Sequence, residues 1–186
     1  LLWQDHVVDP QSIVESTLWP HGYQIGEYNF ASIRLPLYRL TSLPVKGVPW
    51  QAASTTFGDQ LELMGFWASS QAFAGDWFYV VLKWHTVRTP ATDYRVFVHI
   101  LDADGRMRFQ KDKQPLNDLL PTSRWMAGQT LRDAYATVVP PDLPVGDYEI
   151  VMGVYDASGI RLPVRSSLAT ETGDAVSLGT LRVAQR

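Results

Sequence analysis

The residues that could do chemistry here are rings and cations on two neighbouring apolar runs. The runs are Trp77 to Val87 and Tyr94 to Leu101, separated by Thr89-Pro90-Ala91-Thr92. Both alternate with a period of two, as strands do. One face carries Phe78, Val80, Leu82 and Trp84, matched by Tyr94, Val96, Val98 and Ile100. It belongs in a core, at roughly 1.5–3 kcal/mol per buried side chain. The other face carries Trp77, Tyr79, Val81, Lys83 and His85, with Arg95, Phe97, His99 and Leu101. The two runs read as a hairpin, so that Trp77, Tyr79 and Phe97 present flat rings, and Lys83, His85, Arg95 and His99 present donors, to a sugar. The competing reading is that residues 1–30 or a second sheet cover this face. The rarity of exposed apolar patches of this size favours that covering.

A second candidate is the loop holding Arg124 and Trp125. Loops on rigid scaffolds carry binding sites. Trp125, Arg132 and Asp133 could equally pin the loop, through a buried indole and an Arg–Asp pair. Catalysis has weaker support. A glycosidase needs two carboxyl groups across a cleft. Asp102, Asp104, Asp112, Asp133, Asp142, Asp147, Glu149 and Asp156 are available, but most sit at turns, where Asp caps local backbone. There is no Gly-x-Ser-x-Gly elbow, and no Ser is placed beside His85 or His99. Asp102-Ala103-Asp104-Gly105 has two carboxylates but lacks the further ligands and closing Glu of a calcium loop. His6 and His21 show no ligand spacing. No catalytic residue, metal ligand or cofactor is therefore assigned.

The elements that position these residues are strands. The best defined is Leu143 to Gly159. Its alternation puts Tyr148, Ile150, Met152 and Val154 on one face and Glu149, Val151, Gly153 and Tyr155 on the other. It opens on Pro144-Val145-Gly146-Asp147-Tyr148, the pattern of a tyrosine corner, in which the phenol bonds back to nearby backbone. It closes on the turn Asp156-Ala157-Ser158-Gly159. Further strands are predicted at Ser32–Leu40, Gln60–Ala68, Arg106–Lys111, Leu131–Val139 and Ala175–Ala184, with Ile160–Val164 pairing the Leu143 strand. Pro36 places its strand at an edge. Thr41–Thr56, Ser69–Asp76, Gln114–Gln129 and Arg165–Asp174 read as loops or turns. Eight or nine strands with closely spaced turns predict an all-β, two-sheet antiparallel sandwich of immunoglobulin-like character over residues 31–186. Residues 1–30 read as an appendage, with a short helix from Asp9-Pro10 to Leu18, or as the end of an upstream linker.

Composition narrows the function classes. The chain has 186 residues, 46% hydrophobic and 19% charged, enough for one packed domain. A net charge of −3, with a small basic group only at Arg106 to Lys113, gives no case for nucleic acid. No Cys is present, which excludes disulfides and thiolate chemistry. The longest apolar run, Trp77 to Leu82, is far too short to span a membrane. No signal peptide is visible. The start at Leu1 fits a processed product or a piece of a larger protein.

Four segments in order carry a family resemblance: FVHILDADGRMRFQKD, PTSRWMAGQTLRD, VPPDLPVGDYEIVMGVYD and GDAVSLGTLRV. Together with IRLPLYRL they resemble the soluble C-terminal domain that follows the membrane spans in bacterial glycosyltransferases. Those enzymes are related to family 39, the dolichyl-phosphate-mannose protein mannosyltransferases. The resemblance covers roughly residues 33–183. It implies a domain tethered outside the cytoplasmic membrane, with the transfer chemistry in the membrane part and no catalytic residue here. The expected function is a non-catalytic accessory module that binds a glycan or a protein partner, such as the membrane part of its parent, or that shields and orients the active site. The alternatives are a free-standing hydrolase or esterase and a purely structural cell-surface module.

Overall fold

The computed structural model describes residues 22–30, 33–40, 50–118, 120–166 and 171–185. The helix expected at 9–18 and the histidines His6 and His21 lie outside them. The chain divides into two compact units, Leu1–Pro49 and Trp50–Arg186. In the first, β1 (Gly22–Phe30) and β2 (Ile33–Leu40) form an antiparallel hairpin with an irregularity between Gln24 and Gly26. The strand predicted around Pro36 is therefore present, but its partner is β1. The boundary expected after residue 30 falls inside this hairpin.

The second unit is a two-sheet β-sandwich. Its strands are β3 (Gln51–Phe57), β4 (Leu61–Ala68), β5 (Gln71–Phe73), β6 (Trp77–Thr86), β7 (Arg95–Leu101), β8 (Met107–Lys113) and β9 (Thr130–Val138). They continue with β10 (Gly146–Tyr155), β11 (Val164–Ser166), β12 (Glu171–Thr172) and β13 (Ala175–Ala184). One sheet runs β11-β3-β4-β6-β9. The other runs β12-β13-β10-β7-β8, and β5 also pairs with β13. All pairings are antiparallel except β5 with β13. Segments expected to be irregular contribute β3, β5, β11 and β12. Val164 pairs with Phe57 in the opposite sheet, and only an isolated bridge from Tyr155 to Arg161 joins that segment to β10.

The two apolar runs do not form a hairpin. β6 pairs with β4 and β9, while β7 pairs with β10 and β8. The chain between them crosses from one sheet to the other. Their matched apolar faces meet across the core instead of lying side by side. Phe78, Val80, Leu82, Trp84, Val96, Val98 and Ile100 are all buried. Phe78 meets Phe109 of β8 edge to face, with centroids 5.9 Å apart. Across the core from β7, Trp84 contacts Phe57 and Trp125, with centroids at 5.7 and 6.5 Å. The tyrosine corner is present: the Tyr148 hydroxyl donates to the Pro144 carbonyl at 2.8 Å.

Candidate functional site

The crossover separates the expected ring platform. With Phe78, Val80, Leu82 and Trp84 facing inward, Trp77, Tyr79, Lys83 and His85 lie on the outward face of the five-stranded sheet. There Trp77 and Tyr79 stack with centroids 6.5 Å apart, and Arg132 lies over the Trp50 ring. Tyr79 and Val81 are buried, and His85 is half-buried. Arg95, Phe97 and His99 lie on the outward face of the other sheet. The two groups therefore cannot touch one ligand together. Alternation along a strand identifies its faces, but it does not identify which sheet the strand joins.

The loop candidates also part. Trp125 is fully buried against Trp84, and its indole N–H donates to the Leu120 carbonyl at 2.9 Å. Buried Thr122 staples this loop to the crossover: its hydroxyl accepts from the Tyr94 amide at 2.8 Å and donates to the Thr92 carbonyl at 3.1 Å. Arg124 is exposed. The anticipated Arg132–Asp133 pair is replaced by Lys113–Asp133, with Nζ to Oδ1 at 2.7 Å.

The turn carboxylates are committed to backbone. Asp102 Oδ1 accepts from the Asp104 and Arg106 amides, and Asp156 Oδ1 accepts from the Ser158 and Ile160 amides. The Arg106 amide above all, helped by the Asp104 amide and Arg108, holds Asp102 below its ordinary value. Among the described residues no group of three or more His, Asp or Glu could hold a metal ion.

What remains is a cluster on the outward face of the six-stranded sheet. Strand register builds it. Phe97 stands opposite Gly153 on one side and Asp112 on the other, while Val151 stands opposite His99. The Phe97 ring packs over Gly153, where no side chain intervenes, and forms an apolar floor with Val151 and Ala175. Arg161, from the turn after β10, lays its guanidinium over the same ring, 4.4 Å from the centroid, and bonds Asp174 at 3.2 Å. His99 stacks obliquely on Phe97 with centroids 4.5 Å apart. Its Nε2 is 3.3 Å from Asp112 Oδ1, a contact that lacks hydrogen-bond alignment. The Tyr155 hydroxyl donates to Asp112 Oδ2 at 3.4 Å.

Electrostatics follow from this arrangement. Burial, reinforced by Arg161, lowers the His99 pKa, and Asp112 opposes the shift. Burial and then Asp112 raise the Tyr155 phenol, and Arg95 acts the other way. The cluster brings together the imidazole of His99, the phenol of Tyr155, the side chains of Arg95 and Arg161, and those of Asp112 and Asp174. His99 keeps 17% and Asp112 23% of side-chain exposure, while Arg161 keeps 40%. Phe97 itself is covered, so a ligand would meet the polar groups around it. Such a set donates and accepts hydrogen bonds in several directions.

Sequence reasoning offers Asp112 only as one of eight available carboxylates and gives no site role to Gly153, Tyr155, Arg161 or Asp174. One signal was present: a Gly within a strand of large residues marks a place where another group comes close.

No family model matches the chain, and no curated protein matches it. Among solved structures it is similar to the C-terminal domain of Wzt. The identity is 12% and the TM-score 0.44, covering 72% of this chain and 79% of that one. It is similar to a Niemann-Pick type C2 protein from the Japanese carpenter ant at 9% identity and TM-score 0.43, covering 69% and 99%. It is also similar to the CARDB domain of a Pyrococcus furiosus protein in complex with di-metal ions. There the identity is 8% and the TM-score 0.37, covering 72% and 94%. At such identity and overlap a likeness assigns neither family nor ligand.

Proposed function

We propose that this chain is a non-catalytic binding module whose contact surface is the Arg95–His99–Asp112–Tyr155–Arg161 cluster, and that its ligand is a glycan. The observation that carries this reading is the built character of the cluster. Four segments converge on one aromatic floor, and the polar groups above it stay partly open to solvent. Sugars need donors and acceptors fixed in orientation, and stacked or paired side chains hold theirs at low entropic cost. The sequence resemblance supports the finer reading of an accessory domain of a membrane glycosyltransferase, outside the cytoplasmic membrane.

A hydrolase is the second reading, because His99 beside Asp112 has the form of a base and its orienting carboxylate. Against it, His99 Nε2 faces that carboxylate and not a nucleophile. Amide chemical-shift titration of the chain with a panel of oligosaccharides separates the two readings. Binding predicts shifts confined to β7, β8, β10 and residues 156–162, with affinity reduced about tenfold or more by Arg161→Ala. Turnover of any oligosaccharide would overturn the non-catalytic reading. Absence of shifts across the panel would overturn glycan binding.

A further inference from the structure

The interior holds a polar group that the binding surface does not use. Lys113, at the end of edge strand β8, pairs in register with Val96 and so points into the core. Asp133, on edge strand β9 of the opposite sheet, pairs with Leu82 and points inward as well. Lys113 Nζ lies 2.7 Å from Asp133 Oδ1, with the two side chains only 12% and 1% exposed. Asp133 Oδ1 also accepts from the Leu116 amide at 3.0 Å. Leu116 is buried and is the one non-glycine residue with positive φ, at 57°, among the described residues. Strained backbone of this kind persists where its surroundings over-determine it, often at sites with a task. Lys113 Nζ sits 4.3 Å over the Tyr135 ring. The Tyr135 hydroxyl and Asp133 Oδ2 are buried and have no aligned hydrogen bond among the described residues.

A buried ion pair is weak as a stabilising device, because removing two charges from water costs about as much as their attraction returns. Two buried polar atoms without an aligned hydrogen bond add to that cost. The arrangement suits a different outcome. We infer that Lys113 and Asp133 condense spontaneously to an intramolecular amide that ties β8 to β9 and so joins the two sheets.

The chemistry balances without a co-reactant. Within the contact pair one proton passes from the Lys113 ammonium to Asp133 Oδ2, leaving an amine and an acid. The Nζ lone pair attacks Cγ, and the charge that develops on Oδ1 is met by the Leu116 N–H, already in hydrogen-bond contact. The Cγ–Oδ2 bond then breaks. Oδ2 leaves as water with a second Nζ proton, and the third remains on the amide. Tyr135 interacts with the same carboxylate. Its phenol is kept protonated by burial first and then by the Asp133 carboxylate. In a chain without cysteine, the bond would close the segment between residues 20 positions apart much as a disulfide does.

Intact-mass spectrometry of the purified 186-residue chain decides the matter. The expected mass is one water below the sequence mass, with a branched peptide joining residues 113 and 133 after proteolysis. Lys113→Arg should restore the full mass, since a guanidinium is not nucleophilic. Asp133→Asn should lose one ammonia instead of one water. A wild-type mass equal to the sequence mass would overturn the inference, and so would a water loss that persists in Lys113→Arg.

Discussion

A Cβ on Gly153 would lie 2.4 Å from Cζ of Phe97 and 2.8 Å from the Asp174 carbonyl oxygen. The glycine is there for space: its φ is ordinary, and the ring needs the room. Phe97 in turn carries Arg161 and His99. Gly153→Ala should therefore lift the ring and loosen the cluster, at a cost of about 1–3 kcal/mol. Denaturant unfolding measures that loss, and the same variant should lose the amide shifts expected from ligand.

His99 makes stability depend on pH. Its folded pKa lies below the ordinary 6.5, mainly through burial. The unfolded chain therefore takes up the proton first as pH falls. The His99 contribution is fully present above about 6.5 and is lost as pH drops from there toward the folded value. Unfolding midpoints measured over a pH series should fall below this point, and His99→Gln should flatten the fall. Equal slopes in the two proteins would contradict the assignment.

The tyrosine corner is testable alone. Tyr148→Phe removes the bond to the Pro144 carbonyl and little else, so it should cost about 0.5–1.5 kcal/mol. Because Tyr148 faces the core, ligand binding should not change. A cost near zero would mean that water takes over the carbonyl.

Arg124 and Trp125 are adjacent in sequence but should behave differently. Trp125→Ala opens a cavity beside Trp84 and frees the Leu120 carbonyl, which predicts a loss of about 3–5 kcal/mol. Arg124→Ala, at an exposed site, should stay within about 0.5 kcal/mol. Thermal melts of the two variants make the comparison.

These residues also mark how far the sequence could be read. Alternation in Leu143–Gly159 marks the inward set Tyr148, Ile150, Met152 and Val154, and alternation in β6 and β7 marks the faces that the core buries. Pairing was not legible. Two strands facing each other across a core carry the same pattern as two strands in one sheet, and the segment around Pro90 suits a hairpin or a crossover. β3 was missed because QAASTTF is small and polar, with few of the large residues that signal a strand. The cluster was hidden for a related reason. Asp112 and Tyr155 meet Phe97 through the register of β7 with β8 and β10, and Arg161 through the bridge after β10, none of which local spacing encodes.

The last strand, β13, has consequences for biosynthesis. Its inner side is taken by β10, and its outer side is shared by β12 and, in parallel, by β5 from over a hundred positions earlier. Residues 71–73 thus wait for 182–184. On the ribosome, that sheet can only finish once residue 184 clears the exit tunnel, so this half of the molecule matures late and exposes sticky edges until then.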